Sequence, residues 1–170
     1  MRKLWEDHIT WTRLAIISFA EELPDFEATA TRLLQNQADI GNAIKPLYGA
    51  SAAQELTALL KQHITGAVAV LEAAKPGDNA AFEQAKEAWY QNADAIAHFL
   101  NEANPRNWRL QAIDEMMHTH LDQTLQEAAD RLAGNFTADI EDYEAVHLHI
   151  LEMADTLSNG IMARFPARFR

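Results

Sequence analysis

The sequence contains no cysteine. That single absence excludes disulfides, thiolate metal sites and a cysteine nucleophile, and it accords with a reducing compartment. Glycine and proline are scarce, six and five in 170 residues. They fall at few places: Pro24, Gly41, Pro46 with Gly49, Gly66, Pro76 with Gly77, Pro105, Gly134, Gly160 and Pro166. Six scattered glycines spell neither a phosphate-cradling loop nor a dinucleotide fingerprint. There is no Gly-x-Ser-x-Gly, and Ser18, Ser51 and Ser158 lack a turn that would expose a nucleophile. Long apolar runs are also missing. The greasiest stretch, Leu14 to Ala20, is far short of a bilayer span, and Arg2, Lys3, Glu6 and Asp7 leave no signal-peptide core at the start. The expectation is a soluble, cytoplasmic protein.

Basic charge is short in the middle of the chain. The formal net charge is −11, and residues 21–155 hold 23 acids against eight bases. So acidic a middle repels phosphate backbones, which argues against nucleic acid as a partner. The basic ends (Arg2, Lys3, Arg13, then Arg164, Arg168 and Arg170) read as solvated termini. A small molecule or a second copy of the chain remains the partner to expect.

What is present is helix-forming material. Hydrophobic residues make up 48% of the chain, enough for one packed domain over residues 1–170. Leu56, Leu59, Leu60, His63, Ala67, Val70 and Ala74 recur at three- and four-residue steps, as do Leu110, Ile113, Met117, Leu121, Leu125, Ala128 and Leu132. Gln111, Glu115, His118, Asp122 and Gln126 line the opposite, wet face of the second stripe. No run alternates like a strand. The pattern predicts an all-α, six-helix bundle with helices near 3–22, 25–45, 51–75, 79–103, 106–133 and 137–163. Asp25, Asp78 and Asn135 are the expected N-caps, and Pro46, Pro105 and Pro166 the expected stops. Short connections pair these helices into three antiparallel hairpins, about 1–48, 49–105 and 106–170.

An internal repeat gives the first candidate site. Glu6-Asp7-His8-Ile9-Thr10 returns as Lys61-Gln62-His63-Ile64-Thr65, and Ala38-Asp39 and Ala93-Asp94 each follow the histidine by 31 residues. His120 with Ala154-Asp155 supplies a third copy at a spacing of 35, the extra residues fitting after Gly134. An approximate threefold repeat of about 55 residues follows. It places His8, His63 and His120 on outgoing helices, and Asp39, Asp94 and Asp155 on return helices at matching heights. His63 lies on its apolar stripe, so these are polar groups near a core, and they must be paired.

Three readings of that polar core stay open. Each His–Asp pair could be a structural clasp, the histidine held by a carboxylate that raises its pKa; the chain would then be a non-enzymatic structural or interaction module. The six residues could instead hold a divalent transition metal, Zn, Fe, Mn or Ni, since neutral imidazole and carboxylate suit those ions and bundles build such sites from facing helices. A metal-dependent hydrolase or oxidoreductase would follow, with metal-activated water as the agent. A small-molecule pocket framed by Trp5, Trp11, Trp89 and Arg13 is the third.

Other histidine patterns carry less. Glu115-x-x-His118 and Glu144-x-x-His147 spell a di-iron chelate, but on consecutive helices and partly on the wet stripe. His118/His120 and His147/His149 stand two apart, about 200° around a helix, so neither pair clamps one ion. His98, a turn after Asp94, reads as a surface histidine.

Trp5-x-x-His8-x-x-Trp11-Thr12-Arg13, Asn36-Gln37-Ala38-Asp39, Trp89-Tyr90-Gln91-Asn92-Ala93-Asp94 and Met153-Ala154-Asp155 together resemble an uncharacterised family of small all-helical bacterial proteins, over essentially the whole chain. Its members often carry automatic labels such as glycosyltransferase or acetylglutamate kinase. Those activities belong to α/β folds with glycine-rich loops, so the resemblance implies an all-helical protein and transfers no catalytic residue.

Overall fold

The structure, a computed structural model, describes residues 1–169. Among the described residues the regular elements are helical: α1 (Arg2–Ala20), α2 (Phe26–Ala74), α3 (Asn79–Ala103), α4 (Leu110–Leu132) and α5 (Phe136–Arg164), with a short 3-10 turn over Pro166–Arg168. None of these helices is long and apolar enough to cross a membrane. The all-α expectation therefore holds, and Asp25, Asp78 and Asn135 do sit at N-cap positions. The Asp78 carboxylate accepts the amide N–H of Ala81 at 3.0 Å, satisfying one donor that the first turn would otherwise leave bare.

Five helices form where six are expected. The second and third merge into one element of 49 residues, α2, which runs through Pro46 and breaks only at Gly49, where φ is 89° and ψ 173°. Pro46 removes one donor to the preceding turn without stopping the helix. The change of direction falls three residues later, on the one residue type that takes such a backbone conformation freely. The expected regular threefold architecture is likewise not what forms, since the helices run to 19, 49, 25, 23 and 29 residues.

Each helix packs against the next, and α5 returns to α1 to close the bundle. The directions alternate: Tyr90 reaches Asp122 and Asp94 reaches His118, so residues ascending α3 meet residues descending α4. Every helix sends large aliphatic side chains to one shared core, among them Ile9, Ile40, Ile96, Leu121 and Ile150, each 1% exposed or less. Burying side chains of this size contributes roughly 1.5–3 kcal/mol apiece before entropy is charged.

The α3–α4 connection is held by Asn101, Asn104, Asn107 and Trp108, the Asn107 amide donating to Asn104 Oδ1 at 2.8 Å. Asn104, fully buried, donates to the carbonyl of Gly160 at 2.9 Å, and Asn101 donates to that of Trp108 at 2.7 Å. Trp108 is thereby seated against Gly160 of α5 and stacked with Tyr48, ring centroids 5.8 Å apart. A Cβ on Gly160 would stand 2.0 Å from the indole Nε1 and 2.7 Å from Cδ1.

Two glycine substitutions separate backbone strain from crowding. Nothing stands within 4 Å of a Cβ added at Gly49, so Gly49→Ala should cost about 1–3 kcal/mol in urea unfolding through backbone strain alone, leaving tryptophan emission unchanged. Gly160→Ala should cost at least as much by displacing Trp108, and should shift that emission.

Candidate functional site

The three repeat histidines meet in the middle of the bundle. His8 from α1, His63 from α2 and His120 from α4 are 2%, 3% and 3% exposed. Ring centroids are 5.7 Å apart for His8 and His120 and 6.1 Å for His63 and His120. A fourth ring, His149 of α5, stacks on His120 at 6.5 Å. Trp5 packs edge-on to His8 at 5.6 Å and Trp89 lies across His63 at 5.2 Å. Burial drives all three imidazoles toward the neutral form: His8 falls to about 3, with His63 as a second cause, and His63 falls to about 4. His120 is pushed well below its ordinary value by burial and then by the neighbouring His8, His63 and His149. A neutral imidazole keeps one N–H donor and one lone pair, the form in which histidine binds metals.

The His8 and His63 rings are oriented by the return helices. Asn92 donates its amide to the Leu59 carbonyl at 3.2 Å, which fixes the amide orientation, and its Oδ1 accepts from His63 Nδ1 at 3.1 Å. The His63 proton is thereby assigned to Nδ1 by the network, leaving the lone pair on Nε2. Gln37 Nε2 faces His8 Nδ1 at 3.2 Å, the Leu33 carbonyl at 2.9 Å and Asn36 Oδ1 at 3.2 Å. Its two hydrogens serve three acceptors, and its buried Oε1 has no partner. In this amide orientation His8 Nδ1 accepts and Nε2 carries the proton. His149 donates Nε2–H to the Met116 carbonyl at 2.9 Å, while His120 Nδ1 is buried without a partner.

The aspartates expected to pair with these histidines do not. Asp39 accepts from Gln35 at 3.2 Å and lies 3.6 Å from Arg32. Asp94 accepts from His118 Nε2 at 2.7 Å, and Asp155 meets Arg2 at 2.5 Å. All three are partly exposed. The reason is angular. The inward residue lies 29 positions beyond its histidine, at Gln37 and Asn92, and residues at 31 stand two further on, about 200° around the return helix. Asp155, at 35, stands opposite the N-terminus of α1. The matching position for His120 is His149, also 29 residues on. His149 was legible only as half of an i,i+2 pair, and the spacing that reveals it is the one the aspartates obscured.

A second gathering of donors lies at the surface between α3 and α4. Asp94, Asp114 and His118 each offer a ligand atom, all within 4.8 Å of one another. Tyr90 stands edge-on to His118 at 5.2 Å and donates to Asp122; burial and that carboxylate push the phenol upward. The Glu-x-x-His motifs do not chelate. Glu115 accepts from Gln111 at 2.9 Å, and His147 lies 3.6 Å from Glu6.

The tryptophans and Arg13 do not frame one pocket either. Trp11 stacks under Arg32 and Trp5 packs in the core. Arg13 crosses to two fully buried carboxylates, Glu127 at 3.0 Å and Asp139 through both guanidinium nitrogens, with Arg131 3.5 Å from Asp139. Burial raises the Glu127 carboxyl to about 7, Arg13 opposing it.

Stability should follow from these shifts. His8, His63 and His120 each take up a proton on unfolding, so their contribution is whole above pH about 6.5. It falls by about 1.4 kcal/mol per pH unit for each histidine as the pH drops toward about 4 and then 3. Glu127 works in the opposite sense, holding a proton that the unfolded chain releases between pH about 7 and 4.5, and so offsets one histidine in that window. Urea unfolding between pH 7 and 4.5 should therefore show a net loss near two protons' worth. His63→Gln should flatten it by about one; an unaltered slope would contradict the assignment.

No family model, curated protein or solved structure matches this chain.

Proposed function

We propose that the chain is a metal-binding helical bundle in which His8, His63 and His120 hold a divalent transition metal, Zn, Fe, Mn or Ni. The observation that carries this reading is the convergence of three neutral, buried imidazoles from three helices. His63 already presents Nε2 with its Nδ1–H anchored on Asn92, the outer-shell arrangement typical of a metal-bound histidine. His8–Gln37 and His63–Asn92 share a 29-residue spacing and a ring-to-amide hydrogen bond, whereas His120–His149 shares the spacing with a ring contact alone. Tetrahedral zinc with nitrogen ligands at about 2.0–2.1 Å would set ring centroids roughly 5–5.5 Å apart. The ligand atoms of these three rings do not all lie within 4.8 Å of one another, so loading would have to turn the rings and close them on the ion. His8 would have to give up the proton that its Nε2 carries while Nδ1 accepts from Gln37. Asp39, Asp94 and Asp155 have no part among these ligands. If the centre is catalytic, the ion supplies activated water for hydrolysis or a redox couple, and the chain's own part is to hold the ring tautomers and exclude bulk solvent. The kinase and glycosyltransferase labels of the resembling family do not enter.

A second reading is favoured by one observation, the close approach of donor atoms at Asp94, Asp114 and His118. There the ion would sit half exposed and bridge α3 to α4.

Elemental analysis of untagged protein, purified without chelators or nickel resin, decides between them. Near-stoichiometric metal, lost in His63→Ala and kept in His118→Ala, is the expected result. The reverse pattern assigns the ion to the surface cluster. No metal in either state after supplying Zn, Mn, Fe and Ni makes the layer a structural clasp, whose His63→Ala variant should lose about 1–3 kcal/mol through the orphaned Asn92 oxygen.

A further inference from the structure

A cavity of about 40 Å³ lies beside the histidine layer. Its position is set by chain geometry. The residues one turn beyond His8, His63 and His120 are Thr12, Ala67 and Thr124, and all three line it. Side chains at i and i+4 share a helix face, so the cavity stands about 6 Å along the bundle from the rings. These three positions carry small side chains, and Ala15 and Ala128 around them are small as well. Trp89 joins the two features, since the indole that lies across His63 at 5.2 Å also forms part of the cavity wall.

The lining selects the guest. The Thr12 and Thr124 hydroxyls donate to the backbone carbonyls of His8 and His120, each at 2.8 Å, so their hydrogens are spent on their own helices. The remaining wall is almost wholly hydrocarbon and aromatic. A water held there would find almost none of the two to four polar partners that it needs. Size narrows the choice further. One water needs roughly 10–15 Å³, whereas benzene enters a cavity of about 150 Å³, so this space suits a molecule of two or three heavy atoms.

We propose that this cavity binds one small apolar molecule of the size of dioxygen and holds it against the histidine layer. The site is built by the threonine and alanine turn and by Trp89, and does not require the layer to hold a metal.

Xenon is the probe, applied as gas to metal-free protein labelled at the alanine methyls. The Ala15 and Ala128 resonances should move saturably with xenon pressure, while alanines distant from the cavity move linearly and weakly. Ala67→Leu, which fills the space, should weaken the response at least tenfold, and the milder Ala67→Val by a smaller factor if the leucine does not fold. Dioxygen at matched pressure should then broaden the same methyls selectively, through its paramagnetism. A purely linear response in the wild type, or saturable shifts surviving both substitutions, would overturn the proposal. Because no metal is present, that failure is distinct from failure of the metal reading.

Discussion

An imidazole removed from water must give up its proton or find a counter-charge, and the three that meet inside this bundle face no carboxylate. Desolvation leads in deciding their state, neighbouring rings adding to it at His8 and His120, and being neutral they are also directional. A neutral ring can donate at one nitrogen and accept at the other, so its neighbours must match it. The amides of Gln37 and Asn92 can do this because each carries both a donor and an acceptor. A carboxylate at the same place would have pulled a proton onto the ring and put charge into the core. Apolar packing fills the rest: Trp5 and Trp89 cover His8 and His63, and Leu121, wholly buried beside His120, belongs to the shared core.

The charged groups are handled separately, near the start of α5. There Arg13 reaches from α1 across to Glu127 on α4 and Asp139 on α5, so three helices are joined through one guanidinium. The fork geometry suits Arg rather than Lys, since two nitrogens serve Asp139 while one also meets Glu127. Burial raises the Glu127 carboxyl to about 7 against the pull of Arg13, and the charges of Asp139 and Asp142 add to the rise. Thus the histidines are desolvated with nothing to balance a proton on them, while both carboxylates pair with Arg13 and Asp139 also with Arg131.

Much of this was legible in the sequence. Helical periodicity, the caps at Asp25, Asp78 and Asn135, and the placing of His8, His63 and His120 in the interior depend on short-range chemistry, and short-range patterns report it. The partners were not legible, because they depend on which face of a return helix looks inward. An offset of 31 and an offset of 29 put residues at nearly one height but on opposite faces. Ala-Asp recurs in the text more visibly than Gln37 and Asn92, which share no spelling. His149 belongs to the layer with no resemblance to either. Pro46 misled in another way, since a proline removes one hydrogen bond while Gly49 bends the axis.

The depth of the layer has a consequence for anything that reaches it. His120 lies ten residues into α4 and Asn92 eleven from the end of α3, about 15 Å of helix from the bundle's end. In the other direction, Gly77 and Gly134 mark turns fourteen residues beyond His63 and His120, roughly 20 Å away. A guest travelling along the axis would have to pass Ile96, Ile113 and Leu121, all essentially closed to solvent. The shorter route is sideways, between helices that part for a moment. Arrival and departure are then paced by the frequency of that parting, a property of the whole bundle's local stability, and residence at the layer can be long even where the contacts are weak.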